Sequence, residues 1–459
     1  MDGFVMPMPA MISPTSTEDR LVEAFLAHGK ETPVLLQALI DEAPENPRAH
    51  ATRALMLTLL ARSELRGPAQ EAAAKAVMLL GGNGGSRADT AFIEAASAAA
   101  HGAWWAAIDQ LERAITDNPA DTLSAKMSHA LRFMLGDKPG MLRSIERVLR
   151  LLPSGHPHRG FLMGCHAFAL EENGEYGRAE TIGRDAVARE PRDAWGLHAV
   201  SHVHEMTGRA GDGIRWIEGS ESGFRHCNNF GGHLFWHLAL FKLETGAVAE
   251  VFDLYDRKVR HDETDDFRDI ANGASLLMRL ELDGHAVGTR WEELADKAEA
   301  RLDDRSLVFA DLHYMLALLG AGRMHSAARL ARSMASAPAG LSSQTLVAER
   351  TGRDIAEGLV RFARGDMGRA TESLLAARRQ RSIMGGSDAQ RDVFEQVLIE
   401  AALRAGEENV ARTLLGERLA GRGSNRFAEE RLARLLKPGT RRKGALGLVA
   451  ALAFAAPAH

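Results

Sequence analysis

Four histidines stand in two i,i+4 pairs, His198 with His202 and His233 with His237, in a segment that also carries His204, Glu205 and Cys227. Side chains one helical turn apart share a face, so each pair can offer two imidazoles to one ligand or one ion. Imidazoles and a carboxylate brought together from adjacent helices suit a divalent metal held by His198, His202, His233 and His237. The same groups could bind an organic ligand or a peptide. They could also satisfy one another inside a packed helix junction, where unmade hydrogen bonds are costly. The His-Glu-x-x-His signature of zinc hydrolases is absent, and a lone loop cysteine such as Cys227 more often packs as a small residue than ligates. All three readings stay open, and no reaction is specified.

The elements that must position these residues are helices. Apolar residues recur at helical spacing almost throughout, without a period-2 strand. Glycines close successive helices at Gly29, Gly67, Gly102, Gly136, Gly174, Gly208, Gly246, Gly284, Gly322, Gly365 and Gly406, in steps of 34 to 43 residues. Gly174 is followed by Tyr176, Ala179, Ala186 and Pro191, and Gly102 by Trp104, Ala107, Ala114 and Pro119 at the same offsets. That is the tetratricopeptide register: a glycine at the turn, small residues where two helices approach, and a proline ending the second. The expected fold is all-α, a tetratricopeptide-like α-solenoid of about ten helix hairpins with a concave groove. In this register His198, His202 and Glu205 are expected to face the groove, with His233 and His237 continuing the stripe on the next repeat. His204 should point elsewhere.

Further candidates follow from the register. Asp311 and His313 lie on a later first helix, His313 nine residues before Gly322 as His237 is nine before Gly246. They are groove candidates, with a cap or inter-helix hydrogen bond as the plainer alternative. In Met384-Gly-Gly-Ser-Asp-Ala-Gln-Arg-Asp392, Ser387 can cap a helix whose free amides would attract an anion, but no phosphate-loop Lys-Ser/Thr follows. The expected role is a capped turn, with Arg391 and Asp392 tying neighbouring helices. The acidic run Asp262-Glu-Thr-Asp-Asp266 reads as a solvated loop before a helix.

A net charge of -5 gives no basic surface for nucleic acid or anionic membrane, so neither is expected as the main partner. The expected partner is a protein, peptide or small molecule in the groove. Two cysteines, Cys165 and Cys227, cannot build a disulfide framework, and no basic segment precedes the apolar N-terminal residues, so a cytoplasmic location is expected. Residues 1-18 are expected to be disordered, 19-436 to form the repeat domain, and 437-459 a basic-apolar tail. The run from Gly444 to Ala456 is shorter than the ~20 residues that span a bilayer, leaving at most a weak surface contact.

Several strings carry a resemblance. Asp193-Ala-Trp-Gly-Leu-His-Ala-Val-Ser-His-Val-His-Glu-Met206, His233-Leu-Phe-Trp-His-Leu-Ala-Leu240, Leu254-Tyr-Asp256, Val287-Gly-Thr-Arg-Trp291, Asp311-Leu-His313 and Gly385-Gly-Ser-Asp-Ala-Gln-Arg-Asp-Val-Phe394 occur in this order. Together they resemble the tetratricopeptide repeat protein 38 family over nearly the whole chain, the Gly444 to His459 tail excepted. The resemblance implies a soluble, intracellular helical-repeat protein, with His198, His202, His204, His233, His237 and His313 at matching positions. It implies no reaction. The sequence thus supports a groove-binding repeat protein, and alternatively an enzyme using the same cluster as a metal-dependent hydrolase or with a histidine as general base.

Overall fold

A computed structural model describes residues 16–83, 85–335 and 342–436. The chain is an all-α solenoid of tetratricopeptide-like hairpins, from Thr17–Leu26 to Arg426–Leu436, with no strand among the described residues. The repeat register explains how the hairpins close. Ala107, Ala179, Ala327, Ala370 and Ala411, each five residues after its glycine, are completely buried where paired helices meet. The hairpin Arg159–Glu172 and Tyr176–Arg189 shows the pattern: Gly174 turns the chain at φ 82°, and Pro191 follows the second helix. The first two glycines do other work. Gly29 forms an isolated antiparallel bridge with Cys227, and Gly67 sits inside the helix Arg66–Asn83.

The array does not stay open. At its start, Asn228 N–H donates to His28 O at 2.8 Å and Lys30 N–H to His226 O at 3.2 Å, fastening the first hairpin to the middle of the chain. Ser63 donates to Asp304 at 2.6 Å and Ser343 N–H to Gly102 O at 3.0 Å, joining early helices to late ones. At its end, the helix Asp388–Ala405 packs against the first helices of earlier hairpins and is buried along most of its length. A complete capping box at Ser387 and Gln390 starts it, as the sequence suggests.

Ionic contacts fix that last helix in place. Asp388 meets Lys138 at 2.6 Å, Arg391 meets Glu172 at 3.3 Å, and Arg279 donates to Ala389 O at 2.8 Å. Asp392 is buried between Arg418 and Arg422. Of these partners, Glu172 and Arg279 lie on first helices of their hairpins, which in such a stack line the inner face. The concave groove expected over the middle repeats is therefore filled by the chain's own C-terminal helices. Among the described residues, no helix is long and apolar enough to cross a membrane. The leading segment expected over 1-18 overlaps a helix that begins at Thr17, capped by Ser16, while residues 1–15 and the tail 437–459 lie outside the described residues.

Candidate metal centre

Helix Ala194–Met206 carries His198 and His202, and helix Phe230–Glu244 carries His233 and His237. Each pair lies on one face of its helix, and the two faces meet. One ring nitrogen from each of the four histidines lies within 4.8 Å of the others. His198 Nε2 is 2.9 Å from His202 Nε2 and 2.9 Å from His233 Nε2. Two nitrogens bound to one ion at about 2.1 Å sit roughly 3.0–3.4 Å apart, so this spacing is close to that of a ligand set.

Hydrogen bonds on the far sides of the rings orient two of them. His233 Nδ1–H donates to Asn272 Oδ1 at 2.9 Å, and His237 Nδ1–H donates to Glu205 Oε2 at 3.2 Å. With the proton on Nδ1, each ring turns an Nε2 lone pair inward, the arrangement by which metal-bound histidines are usually held. Glu205 is ionised for this role: burial works against its charge, but the His237 hydrogen bond, Arg422 and Arg279 hold its carboxyl below the usual range.

Proton counting then shows what the cluster lacks. His198 Nε2 carries either a proton or a lone pair, so it cannot make an ordinary two-centre hydrogen bond to both neighbours at 2.9 Å. His198 Nδ1, His202 Nδ1 and His237 Nε2 have no hydrogen-bond partner although buried. Added protons do not resolve this, because burial pushes His198 and His202 well below the usual imidazole range and His233 down to about 3. One cation accepting the inward Nε2 lone pairs would relieve the conflict at His198 and engage His237 Nε2, leaving only the outer Nδ1 atoms of His198 and His202 without a hydrogen bond.

A carboxyl stands beside the cluster. Glu171 Oε2 is 3.5 Å from His202 Nδ1, and neither Glu171 oxygen has a hydrogen-bond partner. Burial first, and then the charge of Glu172, push its carboxyl well above the usual range. Around the imidazoles lie Phe168, Trp195, Phe230 and Trp236, with ring centroids 4.8–5.4 Å from the nearest of the four clustered histidines. Phe230 is the half-exposed member of this wall.

The other sequence candidates separate from this centre. The five groups His198, His202, Glu205, His233 and His237 do come together, but as a buried knot and not on an open groove, because the C-terminal helices cover that side. His313 is not part of it. Its Nδ1–H donates to Phe309 O at 2.7 Å, and its ring packs on Phe309 and Phe394. Asp311 faces a different cavity, lined also by Arg305 and Gln344. His204 points away, with Nε2 3.4 Å from Arg184. Cys227 is 3.7 Å from His226 and Ala27 O, at the bridge to Gly29. Sequence reasoning missed Glu171 and Asn272. Glu171 was legible, because it precedes Gly174 by three residues as Glu205 precedes Gly208.

No family model matches the chain. Among solved structures it is similar to a human IFIT1 dimer with PPP-AAAA, at 15% identity and TM-score 0.42, covering 92% of this chain and 99% of that one. A human IFIT1 dimer with m7Gppp-AAAA matches at 15% identity and TM-score 0.39, over 88% and 94% of the two chains. Naa15/Naa10 bound to HypK-THB matches at 13% identity and TM-score 0.25, over 87% and 68%. Likeness at these scores transfers neither ligand nor partner.

Proposed function

We propose that this chain is a helical-repeat metalloprotein whose four-histidine centre holds one divalent transition-metal ion. The observation that carries this reading is the convergence of His198, His202, His233 and His237, with His233 and His237 fixed by Asn272 and Glu205 so that their free lone pairs face inward. Four neutral imidazoles and no thiolate suit zinc, iron, nickel or copper better than calcium or magnesium, which prefer oxygen. The ion's charge would be balanced by Glu205 and by Glu171, which a nearby dication would return to the carboxylate form.

Metal analysis of protein purified without a histidine tag tests the proposal. Close to one equivalent of a first-row metal is expected, and none in the His202→Ala, His237→Ala double variant with its helical circular dichroism intact. Metal-free wild-type protein that stays metal-free after supplementation overturns it.

A second reading follows from Glu171, a buried carboxyl with unused oxygens beside His202. Glu171 lies beside the outer Nδ1 of His202, placed to orient that ring, and if the ion keeps an open position it could activate a bound water, giving metal-dependent hydrolysis. Azide titration of cobalt(II)-loaded protein separates the two: a change in the visible d–d bands reports an exchangeable position, and an unaltered spectrum reports a closed, structural ion.

A further inference from the structure

A second cavity, sharing no residue with the histidine centre, lies where the early helices Pro47–Leu59, Arg66–Asn83 and Arg87–Ala100 approach Val308–Gly320 and Ser343–Val347. Its volume is about 340 Å³, within the range that holds small organic ligands. The wall is mostly apolar, with Leu57, Ala69, Trp104, Val308 and Met334 contributing.

Two polar side chains in the lining have unmet hydrogen-bonding capacity. Asp311 is 3% exposed, and its Oδ1 has no partner. Gln344 is 5% exposed; its Oε1 accepts from Val308 N at 2.9 Å, but its Nε2 donates to nothing. Leaving such groups unsatisfied costs about 1–3 kcal/mol each, whereas a ligand bearing a hydroxyl or carbonyl could satisfy both. Burial raises the Asp311 carboxyl to about 8, so near neutral pH it holds a proton that it can donate.

The other charged side chains of the lining are basic. Arg62, Arg66, Arg305 and His101 all border the cavity, and Asp311 is its sole acidic member among the described residues. Arg66 and Arg305 are solvent-exposed, which places their charge at the mouth. A chain of net charge -5 thus presents three guanidinium groups around one apolar hollow.

The geometry points to this cavity as a binding site for a small organic acid with an apolar body, its carboxylate met by the arginines at the mouth and an inner hydroxyl or carbonyl met by Asp311 and Gln344. Guanidinium groups favour carboxylates through paired N–H donors. Apolar walls with a few convergent polar groups select the body and orient it.

Three fluorescent probes dissect the site: 6-hydroxy-2-naphthoate, 2-naphthoate without the hydroxyl, and 2-naphthol without the acid. Titration of the full chain should show one saturable site for 6-hydroxy-2-naphthoate, with each truncated probe weaker by about tenfold. The Arg62→Ala, Arg66→Ala variant should remove the advantage over 2-naphthol. Asp311→Val should remove the advantage over 2-naphthoate, and Ala69→Phe, which fills the hollow, should abolish binding. Absence of saturable binding, equal affinity for all three probes, or an arginine variant that binds like the wild type overturns the proposal. Because Arg66 is exposed, its variant tests the site even if a cavity-filling variant fails to fold.

Discussion

Glu205 accepts the Nδ1 proton of His237 at 3.2 Å through one carboxylate oxygen and faces Arg422, more than two hundred residues later in the chain, at 3.5 Å through the other. The C-terminal helices therefore take part in orienting an imidazole that belongs to the middle repeats. Removing the carboxylate's charge while keeping its shape isolates that effect. In Glu205→Gln, the metal affinity measured by chelator competition should fall by about ten- to a hundredfold with the fold retained. Asn272→Leu should act in the same direction through His233. Wild-type affinity in both variants would show that the outer hydrogen bonds do not tune the site.

Metal removal should be visible in stability. An ion that binds only the folded chain adds about 2.7 kcal/mol at a free concentration one hundred times its Kd. Dialysis against a chelator should lower Tm by several degrees, and restored metal should raise it again. The His202→Ala, His237→Ala protein should show no such response. Identical melting of metal-loaded and stripped wild-type protein would count against a bound ion.

The Asp311 carboxyl gives a pH dependence of defined sign. Burial first, and the nearby Asp304 charge second, raise its pKa from 3.8 to about 8, with Arg305 pulling the other way. The folded chain therefore keeps a proton that the unfolded chain releases. The stability gained from the neutral acid is complete below the unfolded value of 3.8 and is lost as pH rises towards the folded value of about 8. Asp311→Asn does not titrate, so its Tm relative to wild type should climb between those limits and then level off. An advantage of at least about 1 kcal/mol, or roughly 1 °C for a chain of this length, is expected at the plateau. A difference independent of pH would mean that Asp311 is ionised in the folded protein.

Asp392 is the acid on which the C-terminal packing turns. It is buried against Arg418 and Arg422, with Arg279 at 4.0 Å, and these arginines hold its carboxyl far below the usual range despite its burial. Asp392→Ala would leave buried guanidinium groups without their counter-charge, a loss on the order of 3–5 kcal/mol. Denaturant unfolding should show that loss, while exposed Asp262→Ala should change stability by less than about 0.5 kcal/mol. A small effect at Asp392 would show that water reaches the arginines.

The repeat fold was legible because it is local. A glycine, a small residue five positions on and a helix-ending proline act within one hairpin, and copies of that pattern reveal its register. The meeting of the two histidine pairs was legible for the same reason, since adjacent hairpins place them side by side. The covering of the groove was not, because Lys138, Glu172, Glu205 and Arg279 find their partners in helices that begin at Asp388. No periodicity encodes a pairing across such separations. His313 failed as a member of the site on the same ground: its offset from Gly322 matches that of His237 from Gly246, but its neighbour is Phe394 from the returning helix.

The return of the Asp388–Ala405 helix into its own array changes what kind of object this solenoid is. A linear stack can lose or gain a terminal repeat and remain a shorter or longer version of itself. Here the last hairpins behave like a keystone, with Glu172 and Glu205 of the middle repeats each meeting an arginine that lies beyond Asp388 in the chain. The chain should therefore unfold in one cooperative transition, because loosening the last hairpins also strips the middle ones of their buried ionic partners.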